Sequence, residues 1–164
     1  MTPGYAVCVA TLALVLVAAE GRATDGSWEC DRWRTAFATM KEEPLTIEAG
    51  ARTFALRARV AATSQQQAAG FQCATSAEIR ETLILFDFDS EIQTQFHMQN
   101  VRAALDIAFV KADGRIFAIL RMEPSPTALY GPLGPFRWAI EARAGFFESL
   151  GIHQGTARLL VGAR

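Results

Sequence analysis

Histidine and cysteine are scarce in this chain, and the scarcity closes off much chemistry. Among 164 residues there are two histidines, His97 and His153, and three cysteines, Cys8, Cys30 and Cys73. No pair of cysteines has C-x-x-C spacing, so zinc ribbons and thioredoxin-type redox motifs are excluded. The histidines and the scattered acids show no ligand spacing, and neither a metal nor any other cofactor is expected. Gly-x-Ser-x-Gly is missing, and Gly151 and Gly155 are not followed by the Lys-Ser/Thr of a phosphate loop. An excess of one charge is missing too. Lys and Arg number 16 against 17 Asp and Glu, with no basic block, so a nucleic-acid partner is not expected. No internal repeat or low-complexity segment breaks the chain up.

What is present begins with an apolar run, Tyr5 to Ala19, followed by small residues. Its length suits the core of a signal peptide and falls short of a membrane-spanning helix. A signal peptide over 1–23 is expected, cut after Ala19 or Ala23 and leaving one domain over 24–164. The alternative is a retained N-terminal anchor, because Met1 to Gly4 carry no Lys or Arg. Export implies a periplasmic or secreted protein, with membrane contact only if the segment stays. Cleavage would remove Cys8 and leave Cys30 and Cys73, which an oxidising compartment would join in a disulfide. Two separate buried thiols are the other reading.

Along the mature chain, Ser27 can cap a helix to Met40, with Cys30, Trp33, Phe37 and Met40 on one face. Lys41 to Pro44 would end it. The period then changes to two. Short strands are expected at 45–47, 53–61, 82–88, 94–98, 105–110, 116–122, 136–142 and 156–161. Asp113-Gly114 supplies a hairpin turn between two of them. Short helices fit 64–69, stopped by Gly70, and 145–150. Residues 123–135 hold four of the six prolines and read as a rigid loop. The fold class is therefore mainly β (α+β): a small, barrel-like, strongly curved antiparallel sheet with one N-terminal helix and two short helices.

The segments between about Ala61 and Val161 carry a family likeness. They are Gly70-Phe71-Gln72, Ile84-Leu85-Phe86, Phe96-His97-Met98-Gln99-Asn100-Val101 and Ala104-Leu105-Asp106, then Asp113-Gly114, Ile140-Glu141 and Gly151-Ile152-His153-Gln154-Gly155-Thr156. In this order they resemble the motifs of the bacterial domain of unknown function 192 family. The resemblance implies a compact, mainly β, often exported domain, and it implies no activity. Phe71-Gln72 stands where the family has Leu-Met, His97 where it has Trp, Gln99 where it has Lys, and Thr156 where it has Asp.

One polar cluster invites chemistry. Asp106 lies within an apolar strand, on the side of Ala108 and Val110, and a carboxylate there is costly unless hydrogen-bonded. Its structural role would be to accept backbone N–H groups near Asn100 and lock that turn. Its functional role would be to join Asn100, Gln99 and Glu141 in a pocket for a small ligand. Paired-carboxylate catalysis by Asp106 and Glu141 is the enzymatic version. His97, alternating with Phe96 and Met98, is expected to face solvent. The leading expectation is a non-enzymatic module for a small ligand or an envelope protein. Alternatives are an envelope hydrolase using Asp106 and Glu141, and an accessory subunit held by an uncleaved N-terminal helix.

Overall fold

The computed structural model describes residues 27–160, so the expected signal segment lies outside the described residues. Helix α1 (Ser27–Thr39) leads into strands β1 (Lys41–Ala49) and β2 (Arg52–Ala61). Helices α2 (Ser64–Ala69) and α3 (Ser76–Glu81) follow, then β3 (Ile84–Ile92) and β4 (Phe96–His97). After β5 (Leu105–Val110) and β6 (Ile116–Met122) come β7 (Leu129–Tyr130), β8 (Phe136–Arg143), α4 (Phe146–Leu150) and β9 (Ala157–Leu160).

Seven strands form one sheet in the order β6-β5-β8-β3-β2-β1-β9, while β4 and β7 pair separately. The sheet curls strongly into a half-barrel, the mainly β architecture expected. It is antiparallel apart from one pair: β2 and β3 run parallel, linked through α2 and α3. That crossover requires the intervening helices, since a tight turn can join only antiparallel neighbours.

Three local features differ from expectation. Lys41 to Pro44 do not end the helix in a loop but open β1. Pro44 is tolerated because β9 pairs only with residues 46–49, so no second strand asks for its missing N–H. The strand expected at 94–98 shrinks to Phe96–His97, and the proline-rich loop contributes its partner, Leu129–Tyr130. Helix α3 adds a third short helix. It is closed by a capping box in which Thr75 accepts from the Glu78 N–H and Glu78 accepts from the Thr75 N–H.

The sheet is covered on both faces. On one, Phe37, Phe71, Ile79, Ile84, Phe86 and Ile107 belong to a core cluster shared with α1, α2 and α3. On the other, inside the curl, Ile47, Val60, Leu85, Ile140, Phe147 and Leu159 form a second. Interior strand β5 is consequently buried at every position, which explains its nearly continuous apolar sequence. Cys30 and Cys73 form a disulfide, with Cα atoms 5.5 Å apart, that ties α1 to the segment before α3. Arg34 reinforces the tie by donating to the Cys73 carbonyl at 3.1 Å and pairing with Glu78.

The two ends of the curl meet at a seam. The Leu159 N–H donates to the Gly114 carbonyl at 2.8 Å, and the Gly155 N–H to the Ile116 carbonyl at 2.7 Å. Gly114 has φ +86°, and a Cβ there would lie 2.4 Å from the Leu159 carbonyl oxygen. Only glycine permits this approach. Gly155 has a similar φ of +81° with nothing within 4 Å of a built Cβ. Gly114→Ala should therefore cost more than Gly155→Ala, which bears only the left-handed backbone cost of roughly 1–2 kcal/mol. Thermal melts of the two variants check this, and equal losses would contradict the close seam.

Candidate functional site

The structure distributes the four residues singled out in the sequence over three places. Asp106 is 5% exposed and faces the second cluster. Its Oδ1 accepts from Arg121 Nε at 2.6 Å, and its Oδ2 from the Gly145 N–H at 2.7 Å. It therefore does not brace Asn100, as the sequence suggested; it fastens β5 and β6 to the start of α4. The pleat explains the change. Asp106 sits opposite Ala142 of β8, whereas Glu141 sits opposite Ile107. Neighbouring positions on a strand point to opposite faces, so the two carboxyls share no cleft. The hydrolase reading loses its geometry.

Gln99 and Asn100 lie elsewhere again, by an open hollow beside Pro124 and Pro126. Gln99 Nε2 donates to the Pro126 carbonyl at 3.3 Å, fastening the turn to the proline-rich loop. Asn100 takes φ +58°, which asparagine tolerates better than most residues, and its Nδ2 donates to Gln72 Oε1 at 3.2 Å. His97 is exposed, as its alternation indicated.

Glu141 has a different setting. It lies on β8 between Ile84 of β3 and Ile107 of β5, two apolar neighbours that offer it nothing. Above it, Gly70 ends α2 at φ +45°, and a Cβ on that glycine would be 3.3 Å from Glu141 Oε2 and 3.4 Å from the Phe86 ring. Glu141 is 4% exposed, and Oε2 has no hydrogen-bond partner. The two other buried acids among the described residues are both satisfied. Asp106 is paired as above, and Asp87 takes Arg137 at 2.6 Å and Trp138 Nε1 at 2.9 Å. Desolvation pushes the Glu141 carboxyl up to about 8, so it carries a proton at neutral pH.

This carboxyl lines a cavity of about 450 Å³. Phe86, Phe88 and Phe96 supply much of its apolar wall, with Phe86 and Phe96 packed edge to face at 5.0 Å. Pairing of Phe96 with Tyr130 in the small β4·β7 sheet holds that ring in position. Gln67, Thr94, Gln95 and His97 contribute polar groups. An apolar cavity with a few convergent polar groups is the usual form of a small-ligand site. No group of three or more His, Cys, Asp or Glu among the described residues is placed to hold a metal ion. The crossover that sets Gly70, at the end of α2, against Glu141 and Phe86 makes these phenylalanines part of a cavity wall.

The buried carboxyl has a measurable consequence. The unfolded chain holds the Glu141 proton only below about 4.5, whereas the folded protein holds it to about 8. Stability is therefore fully present below the lower value and is lost as pH rises toward the upper one, by at most ~1.4 kcal/mol per pH unit. Glu141→Gln cannot ionise. Its melting temperature should lack that decline and overtake the wild type toward pH 8. Parallel profiles for the two proteins would contradict the desolvated carboxyl.

Comparison with known proteins adds the family. No curated protein matches the chain. A crystal structure from Sinorhizobium meliloti, described as a candidate transcription regulator, is similar with a TM-score of 0.67 and 24% identity, covering 74% of this chain and 94% of its own. A protein of unknown function from Novosphingobium aromaticivorans is similar with a TM-score of 0.66 and 25% identity, covering 74% of this chain and 86% of its own. The family model described as uncharacterized ACR matches residues 45–158, from β1 into β9. With most of the sheet inside that match, the chain belongs to the domain of unknown function 192 family.

Proposed function

We propose that this protein is an exported, non-enzymatic binding module that takes a small ligand into the cavity beside Glu141. The observation that carries the reading is the partnerless Oε2 of a buried carboxyl on the wall of a 450 Å³ cavity. A buried polar atom left unpaired costs about 1–3 kcal/mol, and a ligand that pairs with it recovers part of that cost. Binding is favoured over catalysis by the poverty of the site. The lining offers no serine or cysteine nucleophile, and His97 is the one titratable group besides Glu141.

Export is supported by two features that agree. The apolar run at 5–19 suits a signal peptide, and the Cys30–Cys73 disulfide suits an oxidising compartment such as the periplasm. The description of the Sinorhizobium protein as a regulator does not carry over. At 24% identity the likeness concerns fold, and this chain has 16 basic against 17 acidic residues with no basic block.

Native mass spectrometry of protein purified from the envelope fraction tests both parts. The expected result is a chain beginning at Glu20 or Thr24 that carries a small-molecule adduct. Ala68→Trp, which places an indole at the exposed edge of the cavity, should lose that adduct. A chain retaining Met1 would overturn cleavage. An adduct unaffected by Ala68→Trp would overturn the cavity as its site.

A further inference from the structure

Resting on the reading of the Glu141 cavity as a ligand site, we propose that its ligand is an organic cation. The ligand would be an alkyl- or arylalkyl-ammonium whose nitrogen pairs with Glu141 and whose apolar part lies among Phe86, Phe88 and Phe96. The charge inventory of the cavity points this way first. Its lining contains no lysine or arginine, and its one acid is Glu141. An anionic ligand would meet an acid and aromatic rings, with no lysine or arginine to pair with. A cation would meet the opposite arrangement.

Two further observations agree. Oε2 is buried without a protein partner, so a docking N–H group displaces no hydrogen bond within the protein. Aromatic rings attract cations through the negative face of the π-system, an attraction that strengthens where water is excluded. Phe86 is packed edge to face with Phe96 at 5.0 Å and stacked with Phe88 at 6.4 Å, which gives the cavity a three-ring wall. A neutral ligand could satisfy the carboxyl, but it would leave the electrostatics of that wall unused.

The proton count follows from the pairing. Without ligand at neutral pH, Glu141 is a neutral carboxyl, since burial among Ile84, Ile107, Phe86 and the Gly70 backbone opposes its charge. When an ammonium group docks, the O–H bond of Glu141 breaks, its proton passes to solvent, and an N–H···O⁻ ion pair takes its place. Binding should release close to one proton at pH 7. Affinity should rise with pH toward about 8, where Glu141 ionises unaided, and then level off. The remaining titratable group of the lining, His97, is exposed.

Titration calorimetry on the mature protein with size-matched probes tests the proposal. 2-Phenylethylamine and tryptamine supply the cation, 2-phenylethanol and tryptophol the neutral forms, and phenylacetate and indole-3-acetate the anions. The two amines should bind most tightly, with enthalpies at pH 7 that differ between phosphate and Tris buffers as proton release requires. Glu141→Gln should weaken both amines roughly tenfold or more, the scale of losing a charged hydrogen-bond partner, and should spare the alcohols. The buffer dependence is read on the wild type, so the test stands even if Glu141→Gln folds poorly. Alcohols or acids binding as well as the amines, or neither amine binding, would overturn the cation while leaving the cavity as a ligand site. Amine binding that survives Ala68→Trp unchanged would instead place the probes elsewhere and overturn the cavity reading on which this inference rests.

Discussion

Exclusion of water from both faces of the interior strands β5 and β8 is the constraint on which the rest of this structure depends. β5 is buried throughout, and β8 is buried from Trp138 to Ala142. A polar side chain there must find its partner inside the protein or bear the desolvation cost. Asp106 meets the requirement with a guanidinium and a backbone N–H, and Asp87 with a guanidinium and an indole N–H. Glu141 does not meet it, and its carboxyl stays neutral instead. The three acids are similar in burial and different in supply.

The architecture makes that exception possible. The parallel placement of β3 beside β2 requires a crossover, and α2 within it ends at Gly70 directly against Glu141. The disulfide and the Arg34 contacts hold the same crossover to α1. The β4·β7 pair brings Phe96 to the other side of the cavity. Three separate devices thus define the cavity, while the carboxyl within it is left without a protein partner. A protein shaped only for stability gains nothing from such a residue, because an apolar side chain of similar size would be cheaper there.

Much of the fold was legible in the sequence, and the reasons are local. Helix α2 and strands β5 and β6 fall where apolar periodicity, Gly70 and Asp113-Gly114 place them, since turn chemistry and alternation act over a few residues. Helix α3 was legible in principle from the Thr75 to Glu78 capping spacing, but six residues give too little periodicity to stand out. The parallel pair was not legible, because nothing in β2 or β3 records which way its neighbour runs. The site was half legible. Asp106 stood out as an acid in an apolar strand and Glu141 was grouped with it, yet the grouping failed on register: one residue of offset across β5 and β8 puts them on opposite faces. Phe86, Phe88 and Phe96 gave no sign of lining a cavity, because alternation marks a residue as inward-facing without saying whether the space it faces is filled.

The most direct test of this account is the ionisation of one carboxyl. Selective ¹³C labelling of glutamate lets the Glu141 side-chain carbon be followed by NMR across the pH range, assigned by its loss in Glu141→Gln. The account predicts a midpoint of about 8, far above the other glutamates. A midpoint near 4.5 would mean that water or an internal partner reaches Oε2, and the argument for an unsatisfied binding group in the cavity would be contradicted.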